Sequence, residues 1–402
     1  MTISFYIIYL FQFIVNKTDD KTKYMLYNKS KSIKGEIPMS DKIIKCGVVG
    51  LGRGTAIARC LKGVKNAKLV SVCDHNPAIL KSGYEELSEV LEDKNLIQFS
   101  DYDEFLKSDI DAVIVATEAV YHVPIVIKAF EAGKHVLCEI PSVNSVEEAK
   151  ELKEAVAAHP ELTYMAAENC CYWAFIETWK KMREDGLFGD IAYAEAEYLH
   201  ALDPNEFSPT YYPEGHWRTY QPAIRYLTHE LGPLLYVMDD RCVSVTCLEA
   251  DINYDPYTPE RKETGVALFK TKKGAVIRLL VSFGAYTSYD HNYRICGTRG
   301  TIETDRSKVV DNAHSLASLY SVPGTFSANS KIDIPVTTCY EGEDSSGHGG
   351  ADAKMVKDFI NCLVEGKKPI LDVDFAINMS LPGILAHESA VQGGMPIEIP
   401  QF

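Results

Sequence analysis

The chain contains no C-x-x-C pair, no H-E-x-x-H pairing, no internal repeat and no low-complexity tract. Its eleven cysteines therefore mark neither a zinc ribbon nor a thioredoxin-like redox site, and no resident metal is expected. Several of them, such as Cys46, Cys73 and Cys138, lie in apolar runs that read as buried strands, so reduced thiols in a cytosolic (cytoplasmic) protein are expected. Basic charge is also scarce. Lys and Arg number 41 against 56 Asp and Glu, a net charge of -15, which excludes a nucleic-acid partner because phosphate binding needs clustered cations. No apolar run matches the roughly 20 residues of a membrane span. Ile3 to Val15 comes nearest, but Met1-Thr2 before it and Asn16-Lys17-Thr18-Asp19 after it supply neither a basic flank nor a small-residue cleavage site. Residues 1 to 38 are read as a disordered extension or as sequence upstream of a natural start at Met39; a membrane anchor is the competing reading of that stretch.

What the chain does have is length and apolar content, 402 residues with 46% hydrophobic, enough for two domains. Ile43 to Gly50, Ala67 to Asp74, Asp111 to Thr117, His135 to Ile140 and Tyr164 to Ala167 are short β-branched runs with the character of buried parallel strands. Between them Ala56 to Leu61, Pro77 to Leu91, Val123 to Ala132 and Val146 to Ala158 have helical spacing, the last introduced by Asn144-Ser145 with Glu147-Glu148. Strand-helix alternation predicts right-handed crossovers and a Rossmann-type doubly wound sheet over residues 39 to 165. From 166 to 402 the pattern changes. After a helix over Ile176 to Glu184, alternating runs at Ile191 to Leu199, Val243 to Glu249, Gly265 to Lys270, Ala275 to Ser282 and Tyr293 to Cys296 predict an α/β domain with a mainly antiparallel open sheet. Helices near Asp352 to Val364 and Val373 to Ser389 complete the core.

Gly50-Leu51-Gly52-Arg53-Gly54-Thr55 falls where the first strand turns into the first helix. A dinucleotide pyrophosphate needs a tight turn without Cβ atoms there, which Gly50 and Gly52 satisfy; Thr55 stands where the fingerprint has its third glycine. Asp74 ends the second strand, where a carboxylate accepts the hydroxyls of the adenosine ribose and disfavours a 2′-phosphate. NAD is the expected cofactor.

Farther along, Ala116-Thr117-Glu118 with His122, and Ala129-Phe130-Glu131-Ala132-Gly133-Lys134-His135-Val136-Leu137-Cys138-Glu139, resemble the Gfo/Idh/MocA oxidoreductase superfamily where its members line the nicotinamide half of the cofactor. The resemblance implies that Thr117, His122 and Glu139 bind cofactor. The chain departs from the superfamily's dehydrogenases at two points. Ile140 precedes Pro141 where they carry a catalytic lysine, and Arg225 stands four residues before His229 where they carry an aspartate. Tyr226-Leu227-Thr228-His229-Glu230-Leu231-Gly232-Pro233, Glu168-Asn169-Cys170-Cys171-Tyr172 and Gly347-His348-Gly349-Gly350 with Asp352 are similar instead to the NAD-dependent glycoside hydrolase branch, the α-N-acetylgalactosaminidase type.

That similarity implies transient oxidation at C3 of a sugar, elimination, water addition and re-reduction. It puts Tyr226, His229 and Tyr172 at catalytic positions, with Glu139 and Tyr289 near substrate. Tyr226 is expected on the same helix face as His229, and either Tyr226 or Tyr172 is the C2 base. Trp217 and Arg218, in a stretch that also holds Tyr211, Tyr212 and Tyr220, either stack on sugar or cover the sheet. His348 is a further candidate for substrate binding. A sugar or cyclitol dehydrogenase with net hydride transfer, and a non-catalytic NAD-binding regulator, are the alternative functions. The resemblance also implies a homo-oligomer.

Overall fold

The structure, a computed structural model, describes residues 42–200, 216–253, 261–284, 290–306, 309–310, 313–314, 316–321, 331–339 and 347–402. The extension ending at residue 38, Tyr211, Tyr212 and Tyr289 lie outside them.

The first sheet contains β1 (Ile44–Val49), β2 (Ala67–Cys73), β3 (Ile97–Phe99), β4 (Ala112–Val115), β5 (His135–Cys138) and β6 (Tyr164–Ala166). All are parallel, in the order β3-β2-β1-β4-β5-β6. That order is the Rossmann arrangement, with a cleft outside the strand C-termini where it reverses between β1 and β4. The β4 strand is buried at every position, as a central strand covered on both faces must be. The crossover helices are α1 (Arg53–Ala58), α2 (Pro77–Val90), α3 (Tyr102–Leu106), α4 (His122–Glu131) and α5 (Val146–Ala158). Asn76 caps α2 through its side chain, with Pro77 at the first helical position, a site where a missing N–H costs nothing. At α5, Ser145 accepts from the Glu148 N–H at 3.0 Å while Glu148 reaches back to the Asn144 N–H at 2.7 Å, so the predicted start is a reciprocal cap. The sequence pattern did not reveal β3 or α3, each only one short stretch of regular backbone.

After α6 (Ala174–Glu184) the chain builds a second sheet from β7 (Ile191–Leu199), β8 (Cys242–Glu249), β9 (Thr264–Thr271), β10 (Val276–Ser282), β11 (Asp290–Gly297) and β12 (Gly300–Thr304). A separate two-stranded pair, β13 (Val309–Val310) with β14 (Ala313–His314), precedes β15 (Leu316–Ser321) and β16 (Lys331–Pro335), and β17 (Ile397–Glu398) closes the far edge. The order is β16-β15-β12-β11-β7-β10-β9-β8-β17, antiparallel except where β7 runs parallel to β10. Strand β9 alternates buried and exposed along most of its length, the period of a sheet with one covered face. Helix α7 (Thr228–Met238) covers that face. Helix α8 (Ala351–Glu365) returns to the first domain, against the 3₁₀ turns Arg59–Leu61 and Asn169–Tyr172, and α9 (Val373–Val391) lies on β8. The α/β fold with a parallel Rossmann sheet and a mainly antiparallel second sheet is as expected. One expectation fails: Tyr226 is not on the helix of His229. Ala223–Tyr226 forms a separate 3₁₀ turn and α7 begins at Thr228. The turn is held against α9, where a Cβ on Gly383 would come within 3.0 Å of the Arg225 carbonyl oxygen. Among the described residues no helix is long and apolar enough to cross a membrane.

Candidate active site

At the mouth of the Rossmann cleft, Gly50 has φ +84°, and a Cβ there would sit 2.5 Å from the Ala116 carbonyl oxygen. Only glycine adopts that conformation beside a neighbouring strand end without strain. At Gly52 a Cβ would meet no protein atom within 4 Å, so the backbone there borders open space that a ligand can approach. Asp74 receives the Leu51 N–H and the Asn76 N–H, each at 2.8 Å, which fixes the carboxylate at the end of β2 and ties it to the glycine turn. This cradle fits the pyrophosphate and ribose of a dinucleotide. The missing third glycine is accounted for locally. The Thr55 hydroxyl turns inward and donates to the Leu51 carbonyl at 2.6 Å. Close helix–strand packing is supplied one residue earlier, where a Cβ on Gly54 would come within 2.9 Å of Val48.

Arg53 links the two domains. Its guanidinium meets Glu139 at 2.9 Å and grips both oxygens of Asp352 on α8, at 2.9 and 2.7 Å. Asp352 also accepts from Asn169 at 3.0 Å and faces the His348 ring at 3.0 Å. Desolvation opposes ionisation of Asp352, yet hydrogen bonds from His348 and Arg53 hold its carboxyl well below the usual range. Glu139 and His348 thus sit on a charged bridge beside the glycine turn. His122 does not reach the cleft. It is 1% exposed, with ring nitrogens against the Pro141 and Thr117 carbonyls at 2.9 and 3.1 Å, and burial lowers its pKa. The expected cofactor contact is corrected to a packing role, in which the single N–H of the neutral ring donates to one of these two carbonyls at the rim of the cleft.

His229 opens α7. Its Nδ1 lies 2.8 Å from Glu168 Oε1 and 3.3 Å from Cys170 Sγ, while its Nε2 has no hydrogen-bond partner among the described residues. A carboxylate on Nδ1 selects the tautomer whose Nε2 is a free acceptor. Room for Glu168 comes from Gly232 in the same helix, where a Cβ would fall 3.0 Å from Glu168 Cγ. The next residue repeats the arrangement: Glu230, fully buried, meets His291 Nδ1 at 2.6 Å. Burial, with the Glu168 charge adding, raises Glu230 well above the carboxylate range. Tyr293 donates to the His229 carbonyl at 2.7 Å. Aromatic rings wall the site. Tyr226 stands edge-on to His229 with centroids 5.3 Å apart, Tyr198 does so at 5.5 Å while stacking on His291 at 4.7 Å, and Trp217, 8% exposed, lies 5.9 Å from Tyr226.

The two tyrosines that rivalled each other as base occupy different places. Tyr226 faces His229. Tyr172 donates to Asp358 on α8 at 2.8 Å, and burial, reinforced by Asp358, pushes its phenol far above the usual range. A buried phenol giving its proton to a carboxylate is not a base, so Tyr172 is corrected to a packing and hydrogen-bonding role between the turn after β6 and α8. The dehydrogenase positions are accounted for too. Ile140 is 4% exposed in the core, and Arg225 donates to the Asn144 carbonyl at 2.7 Å, joining the Asn144 loop and not the His229 ring. The side chain of Arg218 and all of Tyr289 lie outside the described residues. Glu168 stood in a motif without a role, and Tyr198, Glu230 and His291 were not singled out. Their importance rests on pairings across 31 to 93 positions of chain that no local spacing reveals.

A Rossmann cleft facing a histidine-tyrosine site on a second, open sheet defines a two-domain NAD-binding enzyme. Residues 44–167 match the family of oxidoreductases with an NAD-binding Rossmann fold, 176–303 match the GFO/IDH/MocA C-terminal domain, and 262–402 match the glycosyl hydrolase 109 C-terminal domain. The two Gfo/Idh/MocA matches together span more than half of the chain, which belongs to that superfamily, and its C-terminal part is similar to the glycosyl hydrolase 109 branch. It is 28% identical to a glycosyl hydrolase family 109 protein of Solibacter usitatus, covering 93% of this chain and 91% of that protein. It is 26% identical to an alpha-N-acetylgalactosaminidase of Shewanella oneidensis, covering 93% and 88%. Among solved structures it is similar to scyllo-inositol dehydrogenase from Lactobacillus casei with bound NAD(H) and scyllo-inositol, with a TM-score of 0.70 at 19% identity over 89% of this chain and 99% of that one.

Proposed function

We propose that the protein is an NAD-dependent glycosidase that cleaves through a 3-keto sugar, with an α-N-acetylgalactosaminide the first substrate to test. The observation that carries this reading is the Glu168–His229 pair, which leaves Nε2 as an acceptor where the dehydrogenase lysine is replaced by buried Ile140. When bound, NAD+ supplies a reversible hydride acceptor for C3 of the sugar. The backbone of Gly50 to Arg53, with Asp74, would hold it, and Thr117 and Glu139 border its reactive half. His229 Nε2 takes the C3 hydroxyl proton, and Glu168 steadies the positive ring that results. That charge lies against Tyr226 and favours its ionised form, so Tyr226 is the base for the C2 hydrogen. Loss of the C1 substituent follows, water adds to the enone with its hydroxyl going to C1 and its proton to the departed substituent while Tyr226 returns a proton to C2, and His229 returns its proton as the C3 hydroxyl is restored. The aromatic wall of Trp217, Tyr198 and Phe283, whose ring lies 5.9 Å from Tyr198 and 6.1 Å from Tyr226, supports an apolar sugar face and keeps bulk water from the C2 carbanion.

The test is incubation with 4-nitrophenyl α-N-acetylgalactosaminide and related aryl glycosides in D2O. Nitrophenol release with deuterium at C2 of the sugar and no net NADH is expected. Steady NADH accumulation without bond cleavage would move the protein to the dehydrogenases. The same reading includes a cytoplasmic setting, which the buried thiols of Cys46, Cys73 and Cys138 support, and assembly into a homo-oligomer, which light scattering of the purified protein would test.

A further inference from the structure

Glu168, Cys170 and His229 offer an oxygen, a sulfur and a nitrogen whose ligand atoms all lie within 4.8 Å of one another. Two come from the turn after β6 and one from α7, so spacing along the chain gives no hint of them. Cys170 donates its thiol proton to Asn169 Oδ1 at 3.4 Å, and its sulfur lies 3.3 Å from His229 Nδ1. The remaining carboxylate oxygen of Glu168, which is 0% exposed, is buried with no hydrogen-bond partner among the described residues. A lone pair already stripped of water and unanswered is a ready ligand. Mixed nitrogen, sulfur and oxygen donors suit zinc and similar thiophilic ions, whereas magnesium and calcium take oxygen alone. With metal–ligand bonds of about 2.0–2.3 Å in a tetrahedron, neighbouring donors stand roughly 3.3–3.8 Å apart. The Nδ1···Oε1 separation of 2.8 Å therefore has to open by about half an ångström, within the reach of side-chain rotation.

We propose that Glu168, Cys170 and His229 form an inhibitory site for a thiophilic divalent cation such as Zn2+. The His229 side chain, 13% exposed, gives the ion its approach from the cleft. On binding, the Cys170 S–H bond breaks and its proton goes to solvent as the metal–sulfur bond forms. The Nδ1 proton of the neutral ring leaves and a proton is taken up at Nε2, so one proton is released net per ion and nothing is oxidised or reduced. A ring with metal on Nδ1 and hydrogen on Nε2 has no lone pair to receive the sugar's hydroxyl proton. That last consequence, and only that one, rests on the glycosidase reading.

The experiment titrates the full-length protein, NAD added, with Co2+ and Zn2+. Expected are one ion per chain by equilibrium dialysis, a thiolate-to-cobalt charge-transfer band, release of one proton per Zn2+ in a pH-stat, and no competition from Mg2+. The band should vanish in Cys170→Ser and persist when the partly exposed Cys296 and Cys339 are both changed to serine. Glu168→Gln, which keeps the side chain's size, should weaken Co2+ binding at least tenfold and guards against misfolding of the cysteine variant. In turnover, Zn2+ should lower kcat, and Cys170→Ser should need at least tenfold more Zn2+ for half-inhibition of its own activity. A wild-type protein without a stoichiometric band, or a band that survives Cys170→Ser unchanged, overturns the site. One ion bound at Cys170 in a protein that cleaves no glycoside leaves the site standing and overturns the glycosidase reading instead.

Discussion

A neutral imidazole carries one hydrogen, and at His229 the Glu168 carboxylate 2.8 Å from Nδ1 decides which nitrogen holds it. Replacing His229 with alanine removes the proton acceptor for C3 and is expected to lower kcat by about 10²- to 10⁴-fold, the usual range for a general base. Glu168→Leu leaves the ring in place but removes the acceptor for its hydrogen. It should lower kcat with little change in KM, because the ring loses the partner that fixes its tautomer and steadies the charge it takes on. An unchanged kcat with a lower thermal midpoint would assign Glu168 to packing alone. The tyrosines separate in the same assay. Tyr226→Phe should abolish deuterium exchange at C2, whereas Tyr172→Phe should preserve it and lose about 1–3 kcal/mol of stability by leaving Asp358 without its donor; the opposite pattern would restore Tyr172 as the base.

Elements explain what single residues do not. Helix α7 carries Gly232 so that the Glu168 side chain can lie across it. Gly232→Ala should force the carboxylate away from His229 and reduce kcat more than the thermal midpoint, which activity and calorimetry on one preparation would compare. The predicted strands and helices agree with the structure to within a few residues wherever the run is long: β1, β2, β4 and β5 were legible because continuous apolar runs alternate with amphipathic ones. Strands β12, β15 and β16 were not, although each pairs with a neighbour in the chain, because they are short runs of five or six residues with no continuous apolar stretch. The site has a different limit. The glycine turn, Asp74, Tyr226 and His229 stood in recognisable local motifs. His291, Tyr198 and Glu230 act only once β7, β11 and α7 bring them together, and Thr55 reads as a defect until Gly54 is seen doing the packing.

At the scale of the whole molecule, the Arg53–Asp352 pair joins the glycine turn of one domain to the helix that returns from the other. Asp352 is ionised far below the usual carboxylate range in the folded protein, whereas in the unfolded chain it titrates near about 3.9. The unfolded state therefore binds the proton first as acid is added. The stabilisation is fully present above pH ~4 and is lost as pH falls from there through the depressed folded value. Asp352→Asn leaves Arg53, 30% exposed, with Glu139 as its remaining carboxylate, and is expected to cost about 1.5–3 kcal/mol at pH 7, the range for losing hydrogen bonds to a charged group. It should also remove Asp352's share of the acid destabilisation, so the gap between wild type and variant narrows on the acid side. Because the bridge spans the cradle for the dinucleotide, the variant should bind NAD more weakly as well, measurable by calorimetric titration at neutral pH. Full NAD affinity in a destabilised variant would show that the bridge holds the domains together without shaping the cofactor cleft.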